Sequence, residues 1–256
     1  MRNILAAGAV ETLASFALSN VLLGFDYDGT LAPITGSPAR ARMRAATRRL
    51  LRDVAASYPC VVISGRARGD VAARLAGLPI WHVIGNHGME PWAETAAAAR
   101  LVRRWLDVLR PRLESLPGVF LEDKRYSATV HYRHAPGKIR VQRIVAAAAR
   151  TLPGIRVIGG DEALNLIPTA GVDKGIALQR VRRALGCDTA IYVGDDETDE
   201  DAFASAPADQ LLSIRVGSSR TSRARYALQR QRDMDHLLRR LRTLRSGSHA
   251  VLRAAR

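Results

Sequence analysis

The chain has 256 residues, 47% hydrophobic and 25% charged, which is enough apolar sequence to bury a core and the ordinary balance of a globular protein. Its two cysteines, Cys60 and Cys187, stand far apart in no metal-like spacing and read as buried thiols in a reducing compartment. The net charge of +15 is almost wholly arginine; alternating with alanine and leucine, without interleaved aromatics, these residues read as solvated helix faces, and no nucleic-acid partner is expected. A field of this sign still draws in small anions.

In chain order, residues 6–19 read as a first helix. The apolar stretch 4–23 has the length of a secretory leader, but Glu11 interrupts it and it runs straight into the first strand, so the expected location is cytoplasmic. Val21-Leu22-Leu23-Gly24-Phe25 is a short apolar run that ends in Asp26 and Asp28, and it reads as a buried parallel strand. A loop with Pro33, Gly36 and Pro38 and an Arg/Ala-rich helix over 39–57 lead to a second strand, Cys60-Val61-Val62-Ile63, which ends in Ser64-Gly65-Arg66. A short helix at 70–75 and a third strand at 80–84 deliver Gly85-Asn86-His87-Gly88. Strands alternating with helices predict a parallel sheet whose site lies at the strand carboxyl ends.

The rhythm then changes. A helix over 95–116 is broken by Pro117-Gly118, two short strands at 119–122 and 127–132 are close enough to form a hairpin, and a second helix (137–150) is followed by strands at 155–158 and 163–167. This twice-repeated helix-strand-strand order predicts a small α+β insert. From Lys174 the α/β rhythm returns with a helix to residue 185, the strand Thr189-Ala190-Ile191-Tyr192-Val193 and the acidic run Gly194-Asp195-Asp196-Glu197-Thr198-Asp199. Residues 211–216 are expected to be the last core strand, followed by Arg-rich helices with Leu228, Leu237, Leu238 and Leu241 as a buried stripe and fraying after residue 246. Trp81, Trp92 and Trp105 sit beside apolar residues and are expected in the core.

The polar residues at the strand ends carry the chemistry. Residues two apart on a strand share a face, so Asp26 and Asp28 leave it pointing the same way. Converging carboxylates must repel, keep a proton or share a cation. Oxygen-only donors favour a hard cation, and Mg2+ suits a site that also meets phosphate. A serine can donate to a phosphate oxygen and a lysine supplies positive charge. A carboxylate can attack phosphorus directly, and a second acid must then move the proton of the leaving group.

Asp-x-Asp-Gly-Thr-Leu, Ser-Gly-Arg, Asp-Lys-Gly and Gly-Asp-Asp-x-Thr-Asp, in that order, resemble the haloacid dehalogenase (HAD) superfamily of phosphatases. The resemblance implies Asp26 as nucleophile, Asp28 as general acid/base, Ser64 as hydrogen-bond donor to a phosphate oxygen and Lys174 as charge stabiliser. It also implies Mg2+ held by Asp26, the Asp28 carbonyl and Asp195, with Asp199 or Asp196 in support. Gly85-Asn86-His87-Gly88-Met89-Glu90, Glu122-Asp123-Lys124-Arg125-Tyr126-Ser127 and His131-Tyr132-Arg133 resemble the trehalose-6-phosphate phosphatases more narrowly. In that family the insert caps the active site, which implies sugar contacts from Arg66, Asn86, His87, Glu122, Lys124, His131, Arg133 and Asn165. Asn165 stands where the family usually has glutamate. An amide can hydrogen-bond hydroxyls through both ends but offers no charge.

The expected architecture is therefore an α/β protein, a Rossmann-like HAD core with a parallel sheet plus an inserted α/β cap: residues 1–93 core, 94–168 cap, 169–256 core. The expected activity is Mg2+-dependent hydrolysis of a small-molecule sugar phosphate, trehalose 6-phosphate first, by a cytoplasmic monomer or weak oligomer with no membrane partner. Another sugar or glycosyl phosphate is the nearest alternative; a polyanion-binding protein without activity is the more distant one.

Overall fold

The computed structural model describes residues 1–36, 40–92, 95–160 and 162–254. The chain opens with β1 (Arg2–Asn3), α1 (Val10–Leu18), β2 (Val21–Phe25), α2 (Ala45–Ala55), β3 (Cys60–Ile63), α3 (Arg68–Leu75) and β4 (His82–Ile84). Then come α4 (Thr95–Leu113), β5 (Phe120–Asp123), β6 (Ala128–His131), α5 (Lys138–Thr151), β7 (Ile155–Gly160) and β8 (Ala163–Pro168). The chain closes with α6 (Lys174–Ala184), β9 (Thr189–Gly194), α7 (Asp199–Phe203), β10 (Leu211–Val216), β11 (Tyr226–Leu228) and α8 (Met234–Ala254).

Seven strands form one sheet in the order β1-β11-β10-β9-β2-β3-β4, and every pairing is parallel. A parallel sheet must be covered on both faces, so its strands are apolar throughout; all five residues of β2 are buried. Val21, Leu23 and Phe25 pack into a layer with Leu13, Leu51, Val54 and Leu237 from α1, α2 and α8. Leu22 faces the opposite way, into a layer with Leu178 and Val181 of α6. Each such leucine or phenylalanine stabilises the fold by roughly 1.5–3 kcal/mol relative to exposure. Because β2 lies between β9 and β3, with Phe25 level with Val193 on one side and Val62 on the other, the residues that follow these three strands emerge side by side.

The second sheet is antiparallel, in the order β5-β6-β8-β7. Strand alternation gives it two unlike faces. Leu121, Ala128, Val130 and Leu166 pack under Trp105 and Leu109 of α4 and Val141 and Val145 of α5. The other face carries Glu122, Thr129 and Asn165, which lie level across three strands. The predicted hairpin is present, with Leu121 opposite Val130.

Several sequence expectations change. The parallel sheet continues past β10, since Tyr226-Ala227-Leu228 adds β11, and Arg2–Asn3 adds β1 beyond it. Leu228 therefore belongs to a strand rather than to the helical stripe, and its three-residue strand takes its order from pairing with β10. The helix expected over 39–57 spans Ala45–Ala55, and α8 continues to Ala254 where fraying is expected after 246. Trp81 is 61% exposed, not core, because it precedes the short β4; Trp105 is fully buried as expected. Pro38 and the expected boundary at 93/94 lie outside the described residues.

Candidate active site

Asp26 follows β2 directly and is buried, its backbone N–H donating to the Val193 carbonyl at 2.9 Å. That hydrogen bond continues the β2–β9 ladder one residue past the strand, which brings Asp26 beside Asp195. Carboxylate oxygens of Asp26, Asp195 and Asp199 lie within 4.8 Å of one another. The Thr30 hydroxyl donates to Asp195 Oδ1 at 3.0 Å. The turn between them needs Gly29, which has φ +81° and whose absent Cβ would sit 2.0 Å from Asp195 Oδ2.

Lys174 is the cation inside this group. Asp173 caps α6 by accepting the Ile176 N–H at 2.7 Å, which sets Lys174 at the first helical position with its ammonium pointing to the rim. Its Nζ donates to Asp26 Oδ1 at 2.8 Å and to Asp199 Oδ1 at 2.7 Å, with both partners buried. Burial works against the ammonium, yet the charges of Asp199 and Asp26 overcome it and hold its pKa above the ordinary lysine value. Asp26 shifts upward chiefly through burial, opposed by Lys174 and reinforced by Asp199 and Asp195. Asp195 is pushed up to about 8 by burial and then by Asp199. Carboxylates crowded in this way retain protons that a divalent cation would displace. Their oxygen-only donor set suits a hard cation.

Asp199 stands apart within the cluster. Its Oδ1 accepts from Lys174 and from the Tyr192 hydroxyl at 2.8 Å, and its Oδ2 accepts from the backbone N–H groups of Asp195 at 2.9 Å and Asp196 at 3.0 Å. Four donors occupy about four lone-pair directions of a carboxylate. Asp199 thus orients the lysine and the Asp195–Asp196 turn, while Asp26 and Asp195 keep more coordinating capacity.

Asp28 leaves the rim in a more open position, with its side chain 38% exposed. Arg66 grips it with a fork, Nε to Oδ2 at 2.6 Å and Nη2 to Oδ1 at 2.7 Å, and reaches Asp70 at 2.7 Å through Nη1. Arg66, expected to meet sugar, is therefore engaged with the second aspartate. Ser64 is buried at the end of β3, its Oγ accepting from the Arg66 N–H at 3.2 Å.

His87 is buried in the left-handed region at φ +58°, and its two ring nitrogens have no hydrogen-bond partner. Its ring lies on Gly65, where a Cβ would be 2.5 Å from Cε1. Burial, followed by the charges of Lys124, Lys174 and Arg156, holds the imidazole well below its ordinary pKa.

The antiparallel sheet faces this rim. Lys124 donates to the Gly65 carbonyl at 3.3 Å, and Ser127 Oγ to Asn86 Oδ1 at 2.7 Å. Asn86 in turn donates to Glu90 at 2.8 Å. Glu122 lies 2.8 Å from His131 Nε2 and 3.8 Å from Lys124. Burial would raise the Glu122 carboxyl, but His131 and Lys124 bring it below its ordinary value. Burial pushes the Lys124 ammonium down. Thr129 Oγ1 lies 3.0 Å from Asn165 Oδ1 on the same face. Arg133 sits toward the edge, 3.7 Å from Glu162 and with Nη1 3.5 Å from the Cβ position of Gly36. Arg156 bridges the two sheets' units, donating to Asp201 Oδ2 at 2.7 Å.

The expected residues thus gather in two groups, Asp26, Lys174, Asp195 and Asp199 in one and Glu122, Lys124, His131 and Asn165 on the facing sheet, with Asp28, Ser64, Asn86 and His87 on the parallel-sheet side and Arg133 set aside. Thr30, Tyr192, Ser127, Thr129 and Arg156 were not among them. Tyr192 carried a signal, a hydroxyl in the apolar middle of a buried strand; Arg156 carried none, being one arginine among many.

The sequence profile of the family described as trehalose-phosphatase matches residues 24–232. The trehalose-phosphate phosphatase of Mycolicibacterium paratuberculosis is 40% identical over 195 residues, covering 70% of this chain and 49% of that protein. That of Mycobacterium ulcerans is 39% identical over 225 residues, covering 80% and 57%. The chain thus spans about half the length of these curated relatives. In fold it resembles the C-terminal domain of C. albicans trehalose-6-phosphate phosphatase, with a TM-score of 0.80 at 24% identity, covering 92% of this chain and 97% of that one. The order of elements, the acidic rim with its buried lysine and the profile match together make the chain a member of the trehalose-phosphatase family, in the HAD superfamily.

Proposed function

We propose that this chain hydrolyses trehalose 6-phosphate to trehalose and phosphate, with Mg2+, through an aspartyl phosphate on Asp26. The observation that carries the reading is the convergence of the Asp26, Asp195 and Asp199 oxygens, within 4.8 Å of one another, with Lys174 bonded to Asp26 and Asp199. Asp26, Asp195 and the Asp28 carbonyl would hold Mg2+, which when bound supplies charge neutralisation to an anionic carboxylate meeting an anionic phosphate.

Lys174 fixes Asp26 through Oδ1, and the other oxygen attacks phosphorus. As the Asp26–phosphorus bond forms, the bond from phosphorus to the sugar oxygen breaks, and Asp28 gives its proton to that oxygen. Asp28 then takes a proton from water, whose oxygen bonds to phosphorus; phosphate leaves and the Asp26 carboxylate is restored. Ser64 donates to a phosphate oxygen, and Lys174 balances the charge throughout. Release of Asp28 from the Arg66 fork accompanies substrate entry.

Residues 94–168 form the cap over the core segments 1–93 and 169–256, and their sheet face supplies Glu122, Lys124, His131 and Asn165 to the sugar. Asn86, His87, Arg66 and Arg133 border the same space. The reaction belongs in the cytoplasm; among the described residues, no helix is long and apolar enough to cross a membrane. A second reading keeps the chemistry and changes the sugar. It is favoured by the Thr129–Asn165 contact, which engages the amide oxygen and leaves an NH2 group, rather than a carboxylate oxygen, for a sugar.

Phosphate release from trehalose 6-phosphate and a panel of sugar phosphates, with and without Mg2+, tests both. The first reading expects trehalose 6-phosphate to be preferred and Mg2+ to be required. Preference for another sugar phosphate selects the second, and no release from any of them overturns both.

A further inference from the structure

A pocket of about 410 Å3 opens beside the catalytic rim, between the segment after the Asp28 turn and the start of α8, lined by Pro33, Arg44, Arg230, Gln231 and Arg232. Three guanidinium groups therefore border one concavity, with no carboxylate in its described wall. Elsewhere arginines of this chain share acids: Asp70 serves Arg66 and Arg74, and Asp53 serves Arg242. Here the nearby acids are Asp235, 3.3 Å from Arg44 Nη2 and also accepting from the Thr47 hydroxyl at 2.6 Å, and Asp233, whose Oδ2 accepts the Arg230 backbone N–H at 2.9 Å. Two carboxylates set against three arginines still leave positive charge in excess at a concave wall, which focuses the field on an anion. Arg44 Nε is buried and has no hydrogen-bond partner, so one donor is already desolvated. Planar guanidinium forks match the oxygens of a phosphate group, and Pro33 offers an apolar wall to whatever carries it.

The pocket is also joined to the reacting carboxylates. Gln231 Nε2 donates to the carbonyls of Thr30 at 2.8 Å and Leu31 at 3.3 Å, and the Thr30 hydroxyl donates to Asp195 at 3.0 Å. We propose that this pocket binds a small phosphate-bearing anion at a site separate from the one where phosphate is transferred. Its occupant contacts Gln231, and through Thr30 its presence bears on the position of Asp195.

Calorimetric titration of the full chain with inorganic phosphate, and separately with glucose 6-phosphate, tests this. The variant is Arg230→Ala with Arg232→Ala, both exposed side chains; Arg44 is left in place because Asp235 depends on it. The control is Arg140→Ala with Arg143→Ala, which removes the same charge from exposed positions on α5. The expected result is that the pocket variant loses one bound phosphate per chain, with affinity at that site at least tenfold weaker, while the control changes less than twofold. Glucose 6-phosphate binding at least tenfold tighter than phosphate identifies a phosphorylated metabolite as the occupant; equal binding identifies free phosphate. An unchanged number of bound anions in the pocket variant, or equal loss in the control, overturns the proposal.

Discussion

The two faces that meet at the site hold their charges differently. On the parallel-sheet rim, Asp26, Lys174 and Asp199 are buried, and Asp199 alone accepts four hydrogen bonds. On the antiparallel sheet, Glu122 and His131 are 38% and 30% exposed and are held by one another and by Lys124. A buried ionic group is costly unless every partner is in place, so the rim tolerates one arrangement. Half-exposed pairs are worth little and can re-pair, so the facing sheet can accommodate a ligand's hydroxyls. In the proposed function, rigid chemistry and adaptable recognition therefore fall on two sheets of opposite kind.

The strongest way to break this contrast is at Asp26. Asp26→Asn removes the attacking oxygen, and phosphate release should fall by about four orders of magnitude or more, as for other nucleophile deletions; the fold should survive, because Lys174 keeps Asp199. An active Asp26→Asn enzyme with unchanged circular dichroism would sink the aspartyl-phosphate mechanism. Asp199→Ala strands Lys174 beside Asp26 and orphans two backbone N–H groups, and should cost about 3–5 kcal/mol of stability along with most activity. Urea denaturation checks the first part, and a loss below about 1 kcal/mol would show that the rim is less tightly determined than its hydrogen bonds imply.

Metal binding sharpens the same point through pH. Burial and the neighbouring Asp199 push the Asp195 carboxyl up to about 8, above the ordinary carboxylate range, so the folded state holds a proton there that the unfolded chain gives up. Metal-free stability should therefore decline as pH rises from the ordinary Asp range through about 8. Over the same interval protons compete less, so Mg2+ affinity should rise and then level off. Titrations at several pH values, with proton release measured in two buffers, test this; affinity independent of pH would refute it.

His87 gives the opposite slope. Its folded pKa lies well below the ordinary value, so the buried ring is neutral. Stability is complete above the unfolded histidine pKa of about 6.5 and is lost as pH falls toward the folded value, by up to about 1.4 kcal/mol per pH unit. His87→Asn, which tolerates the left-handed backbone, should flatten that slope in melting temperature between mildly acidic and neutral buffers. The smallest effect belongs to the facing sheet. Arg156→Ala removes the bridge to Asp201, a partly exposed pair, and should change KM by about two- to fivefold with kcat nearly intact. A large fall in kcat would place Arg156 with the rim instead.

Much of the rim was legible in the chain. Apolar runs ending in Asp26, Ser64 and Asp195 mark three strand ends, and the parallel sheet sets β9, β2 and β3 side by side. The short separation of the first two inserted strands likewise anticipated a hairpin. Such features follow from covalent spacing and the periods of strand and helix, which act over a few residues.

What could not be read there depends on distant residues coming into register. Nothing local shows that Arg66 forks Asp28 rather than sugar, since the same spacing allows either. Asp199 is one acid among several until Lys174, Tyr192 and two backbone N–H groups converge on it. Trp81 reads as core by its neighbours and is exposed because β4 starts after it. The arginine pocket joins residue 33 to residue 232, a juxtaposition made when α8 packs on α1 and α2. Spacing along the chain assigned the atoms that can react; packing assigned the partners that hold them, because partner choice is set by three-dimensional proximity and burial.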